Sequence, residues 1–247
     1  MAAAKKPTKA QSPVKPRSTR RGKRVAPYKD QFHSIEPLTP KQMDAFREYE
    51  QGQNLVLSGF AGTGKTFTAM YLALKTVFDS NAPQDSIIIV RSAIPTQDIG
   101  FLPGTYEEKI APYEEPYDSI CDELFKINNV YDQLKLTGHI TFAPVSFIRG
   151  VTFDNAIIIV DEFANCNGHQ LDSIITRCGE NTKIIFSGDI TQSDLHKKNE
   201  KDGVANFVSI LKDMEEFEII EFGEQDIVRS DLVRNYIINK HRKGFEW

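Results

Sequence analysis

The chain has 247 residues, 40% of them hydrophobic and 26% charged, and its 30 basic and 34 acidic residues leave a net charge of −4. This is enough ordinary sequence to bury the core of one large domain, and it excludes a fibrous or wholly disordered protein. No run approaches the roughly 18 apolar residues of a membrane span, and the first residues lack the apolar segment of a secretory signal, so neither a membrane protein nor an exported one is expected.

The N-terminal stretch is a region apart. Ten bases and no acid lie between Met1 and Lys29, together with Pro7, Pro13, Pro16 and Pro27. Like charges and prolines without bulky apolar residues do not fold alone. Residues 1–35 are therefore expected to form a disordered basic arm, suited to the backbone of RNA or DNA. The body that follows, 36–247, is acidic. Its cysteines, Cys121, Cys166 and Cys178, are odd in number and lack a CxxC pair. They predict reduced thiols in a cytoplasmic protein, with no disulfide frame and no zinc site.

Thr39 and Pro40 are placed to cap and open a first helix. A short apolar strand, Leu55 to Leu57, then runs into "GFAGTGKT", and "KTFTAMYLALKTVF" carries an apolar face at helical spacing. Further buried strands are predicted in "SIIIVRS", near Ile140 to Phe142, in "AIIIVDE", in "TKIIFSGD" and in "FEIIEF". Unbroken β-branched runs alternating with helical segments predict a parallel sheet covered by helices on both faces. The tyrosine- and proline-rich stretch between Gln97 and Leu136 reads as a helical excursion from that sheet. "NCNGHQ", Asn165 to Gln170, reads as the turn into another helix.

"GFAGTGKT" fits G-x-x-x-x-G-K-[ST], between a strand and a helix as that motif requires. Gly59, Phe60, Ala61, Gly62, Thr63 and Gly64 would turn backbone N–H groups toward a phosphate at a helix N-terminus. Lys65 would bring a positive charge to the β- and γ-phosphates of ATP, and the Thr66 hydroxyl would ligate Mg²⁺. Asp161 ends a buried strand and is the acid expected to hold Mg²⁺ through a water. Its neighbour Glu162 is placed to polarise a water as general base. "SGDITQ" brings Gln192 three residues past Asp189, where an amide can sense the γ-phosphate. Gln42, upstream of the loop, carries an amide able to pair with adenine. Arg229, or Arg234 beyond it, is the candidate arginine finger.

In this order, the glycine loop, "VDE", "SGDITQ" and "DIVRS" resemble the PhoH family, an ATPase group similar to the RecA-like core of superfamily-one helicases. "LTPKQMDAF", "IIIVRSAIP", "IGFLPG", "FIRGVTFDNAIIIVDE" and "ITRCGENTKIIF" resemble further family segments. The resemblance spans roughly Leu38 to Tyr236. It implies a RecA-like α/β fold, ATP and Mg²⁺ as cofactors, single-stranded nucleic acid (RNA before DNA) as partner, and a ring of six subunits. It adds Arg91, Arg149 and Arg177 as candidates for strand contact or communication between subunits. Where the family usually continues the acid pair with Ala-Gln-Asn, this chain has Phe163, Ala164 and Asn165. With one core and no second, strand separation would need oligomerisation. Two other readings fit the residues: a nucleotide-gated binding protein with little turnover, and a P-loop kinase of a small molecule. The acidic excursion argues against the kinase, because a lid over phosphates should be basic.

Overall fold

All six apolar runs form strands: β1 (Asn54–Gly59), β2 (Ser86–Arg91), β3 (Ile140–Pro144), β4 (Ala156–Asp161), β5 (Lys183–Gly188) and β6 (Phe217–Phe222). The computed structural model describes residues 27–91, 106–148, 150–190 and 198–243. The strands pair in the order β3-β2-β4-β5-β1-β6, and every pairing is parallel. Side chains alternate across a strand, so an unbroken apolar run needs cover on both faces. Leu55, Leu57, Ile87, Ile89, Ile157 and Ile159 enter one core, while Val56, Ile88, Val90, Ile158 and Val160 enter the other.

The first face is covered by α1 (Pro40–Glu50), α2 (Lys65–Phe78), α3 (Tyr106–Phe125) and α4 (Val130–Leu136); the second by α5 (Gly168–Ile175) and α6 (Lys198–Lys212). Beyond β6, α7 (Asp231–Arg242) buries none of its residues. The expected caps are present. The Thr39 hydroxyl accepts from Gln42 N, and Asn167 with Gln170 forms a capping box at the start of α5.

The excursion is helical, as its spacing predicts. α3 continues through Pro112 and Pro116. An interior proline costs a helix ~3 kcal/mol. Tyr117, Cys121, Leu124 and Phe125 are buried completely or nearly so, and burial of a large apolar side chain contributes ~1.5–3 kcal/mol. The packing outweighs the prolines.

The chain just before α1 packs on the first core. Phe32 packs 5.6 Å from the ring of Tyr71, 5.3 Å from Phe78 and 5.4 Å from Phe125. Ile35 also touches the core. Both lie within the stretch expected to be arm, and both pack on the body.

Because all the strands run the same way, their C-terminal ends share one edge. The C-terminal ends of β1, β2, β4 and β5 lie there, at the crevice where open α/β sheets bind ligands.

Candidate active site

The loop between β1 and α2 turns at Gly59, where φ is 115°. It is held from three sides. Val228 N donates to Gly62 O at 2.9 Å. The Gln42 amide donates from Nε2 to Thr63 O at 3.0 Å and accepts Leu38 N on Oε1 at 2.8 Å. Phe60 lies 4.4 Å, ring to ring, from His241 of α7. Gln42 thus ties the loop to the chain before α1. This use of its amide was not visible in the sequence.

Lys65 donates from Nζ to Gly59 O at 2.8 Å and Phe60 O at 2.7 Å. Burial pushes its pKa down, opposed by the charges of Asp189, Glu162 and Asp161. Thr66 Oγ1 donates to Asp161 Oδ1 at 2.9 Å, joining two residues 95 positions apart. The other oxygen, Oδ2, accepts from Tyr117 Oη at 2.8 Å. Burial and the charge of Asp161 hold that phenol protonated by raising its pKa.

Glu162 leaves β4 with a left-handed backbone, φ 53° and ψ 40°. A non-glycine residue there stores strain, a feature that concentrates at functional sites. Burial raises its pKa, Asp161 and Asp189 raise it further, and Arg91 and Lys65 oppose them. Arg91 ends β2 beside Asp161 in register and donates from Nη1 to Tyr113 O at 3.3 Å.

One cavity of about 900 Å³ extends from the loop past Ile35, Glu36 and Leu38 to Pro116, Ser119, Ile120 and Glu123 of α3. Gln42, Ala61, Gly62, Thr63, Gly64, Lys65, Thr66, Arg91, Asp161, Glu162 and Arg229 all line it. Arg229 lies against the loop of its own chain: a Cβ on Gly62 would come within 2.9 Å of its Cγ. Arg91 lines this cavity, beside the acids. Arg177 does not line the cavity; its guanidinium bonds Ser173 O and Thr176 Oγ1 at its own helix end. Arg149 and Gln192 lie outside the described residues.

Two participants escaped the sequence reading. Tyr117 was only one tyrosine among several in the excursion, and its partner lies 44 positions away. Asp189 served in the sequence only to place Gln192; the structure buries it near Lys65 and Glu162.

The family profile described as PhoH-like protein matches residues 34–240. A PhoH-like protein of Synechocystis is 36% identical over 180 residues, covering 72% of this chain and 54% of its own length. Protein PhoH of Escherichia coli K12 is 35% identical over 193 residues, with coverages of 77% and 54%. The chain thus spans about half the length of these relatives. Among solved structures, the large terminase of a thermophilic bacteriophage superposes with a TM-score of 0.50 at 12% identity, over 86% of this chain and 51% of that one. At that identity the likeness concerns the fold, a RecA-like P-loop domain. Sequence relatives, profile and fold agree: this chain belongs to the PhoH family.

Proposed function

We propose that the chain is a Mg²⁺-dependent ATPase of the cytoplasm that acts on single-stranded nucleic acid, RNA before DNA, as a ring of six copies. The observation that carries the hydrolytic reading is the Thr66–Asp161 hydrogen bond beside Glu162 and Lys65, in one cavity large enough for a nucleotide. A hydroxyl and a carboxylate at the mouth of a phosphate loop are hard oxygen donors, the chemistry that suits Mg²⁺. When bound there, Mg²⁺ would neutralise charge on the β- and γ-phosphates.

The chain's own groups supply the rest. Loop N–H groups and the Lys65 ammonium bind phosphate oxygens. Thr66 and Asp161 hold the metal. Glu162 orients a water and takes its proton on a carboxylate oxygen. Arg229 brings positive charge to the loop from its own chain, where charge builds in phosphoryl transfer. Gln42 both braces the loop and retains one amide hydrogen for a base edge. Gln192 is assigned the γ-phosphate sensor by its motif.

The basic arm supports the nucleic-acid partner, since ten unopposed cations suit a phosphate backbone. On α7, Leu232 is 82% exposed and Tyr236 62%. Apolar surface of that kind beside the nucleotide loop suits contact with a neighbouring copy. No helix among the described residues is long and apolar enough to cross a membrane.

Phosphate release by the full chain with Mg²⁺ and ATP, alone and with single-stranded RNA or DNA, tests this reading. Stimulation greatest with RNA is expected, and the stimulation should fall with added salt as phosphate contacts weaken. Turnover indifferent to both nucleic acids would remove that partner. Tight ATP binding without turnover would favour a nucleotide-gated binding protein.

A pH dependence follows from the Glu162 environment. The base works ionised, and its pKa is raised, so activity should begin to fall at a higher pH on acidification than for an ordinary carboxylate. Arg91 opposes the rise. Arg91→Leu should therefore move the acid limb of the kcat/KM profile further up in pH, and an unmoved limb would separate Arg91 from the base.

A further inference from the structure

We propose that Tyr117 is a positioning residue of the nucleotide site, fixing the carboxylate of Asp161 for Mg²⁺ and joining the α3 excursion to it. The proposal rests on the reading of Thr66 and Asp161 as the metal-holding pair. Asp161 is 4% exposed, and each of its oxygens is taken by a different element. Oδ1 accepts from Thr66 on α2, and Oδ2 accepts from Tyr117 on α3. The first bond is expected of a phosphate-loop threonine. The second comes from a helix that lies outside the motif.

Tyr117 cannot swing away easily. It has no exposed surface, and its ring lies 6.5 Å from that of Tyr131 and 5.9 Å from that of Phe142. The hydroxyl is thereby aimed at a carboxylate that accepts without donating, so the bond runs from phenol to Asp161. Four residues earlier on α3, the Tyr113 carbonyl accepts from Arg91. Arg91 and Asp161 are register neighbours on β2 and β4. Residues 113 and 117 of α3 thus rest on two adjacent strand ends, one carrying the metal acid and the other the cation that faces Glu162. A displacement of α3 would reach the Asp161 carboxylate directly. Hydrogen-bond partners of metal-ligating carboxylates set ligand orientation, and losing one typically costs roughly 10–100-fold in metal affinity or activity.

Binding of a fluorescent ADP analogue to the full chain, titrated with Mg²⁺ and repeated in EDTA, separates metal positioning from nucleotide affinity. Tyr117→Phe keeps the ring and its packing and removes only the hydroxyl. The half-saturating Mg²⁺ concentration is expected to rise about 10-fold, with binding in EDTA unchanged. Tyr131→Phe is the matched control. That hydroxyl is nearly as deep but donates to Glu114 at 3.0 Å rather than to Asp161, and its removal should leave the Mg²⁺ requirement as in the unaltered chain. An unchanged Mg²⁺ requirement in Tyr117→Phe overturns the proposal, as does an equal shift in both variants, which would mark a general loosening of α3. If the unaltered chain binds nucleotide with no Mg²⁺ dependence, the metal-site reading itself fails and the proposal with it.

Discussion

Glu162→Gln is expected to lower the turnover of ATP by about 10²–10⁴-fold, the usual contribution of a general base, while nucleotide binding is retained. Gln keeps the shape and can still hydrogen-bond, but it cannot take a proton. Lys65, Thr66 and Asp161, the residues proposed to bind phosphate and metal, stay in place. The same substitution should raise the melting temperature at neutral pH. The pKa of Glu162 is raised above its unfolded value, by burial first and by Asp161 and Asp189 next. A group shifted this way favours the folded state fully below its unfolded pKa and loses that contribution as pH rises through the folded pKa. At neutral pH the raised pKa is therefore a stability cost that Gln removes. The gain should shrink as pH falls toward the carboxylate range. A variant that loses turnover but gains no thermal stability would mean that Glu162 is not held in a crowded, buried state. Unchanged turnover would remove it from the chemistry.

Gly59→Ala is expected to destabilise the fold by ~2–6 kcal/mol, combining a forced backbone with overpacking. The chain turns there with φ 115°, and an added Cβ would stand 2.2 Å from Phe222 O and 2.9 Å from Phe222 N. Both are backbone atoms. They cannot rotate away, because Gly59 pairs in register with Phe222, and Phe60 N donates to Phe222 O at 3.2 Å. Either β6 moves or the loop does. Domains of ordinary stability hold ~5–15 kcal/mol in reserve, so the variant should unfold at markedly lower urea and bind nucleotide weakly even while folded. Urea unfolding followed by far-UV circular dichroism checks the first effect, and nucleotide titration checks the second. An alanine variant as stable as the unaltered chain would show that the β1–β6 seam is looser than this geometry requires.

The sheet was legible because its strands are long enough and apolar enough to be read singly. In "AIIIVD" the β-branched run demands burial on both faces, and the structure divides Ile157 and Ile159 from Ile158 and Val160 between two cores. The phosphate loop and the Asp161–Glu162 pair were legible for a similar reason: spacing along the chain sets their geometry, since each sits at the end of a strand in a parallel sheet. Gln42 was legible as a residue near the site but not in its bracing role, because its partners are backbone atoms with no signature of their own. Tyr117 was not legible at all. Its meaning depends on how α3 docks, and that docking follows from dispersed contacts of Tyr117, Cys121, Leu124 and Phe125 rather than from any motif. Arg91 was expected at a nucleic-acid or subunit contact. It lines the cavity at the β1–α2 loop because the β2–β4 register sets it beside Asp161, and no pattern along the chain states which strands are neighbours. Phe163, which departs from the family's usual residue, is fully buried with its ring 5.8 Å from Phe186, so at this position the chain has core packing.

The most direct measurement is phosphate release from ATP by the full chain, with Mg²⁺ and then with EDTA, beside Lys65→Ala. Steady turnover that needs Mg²⁺ and disappears in Lys65→Ala is the predicted result. Turnover that persists in Lys65→Ala or in EDTA, or none in the unaltered chain under any condition, would contradict the assignment of this cavity to ATP hydrolysis.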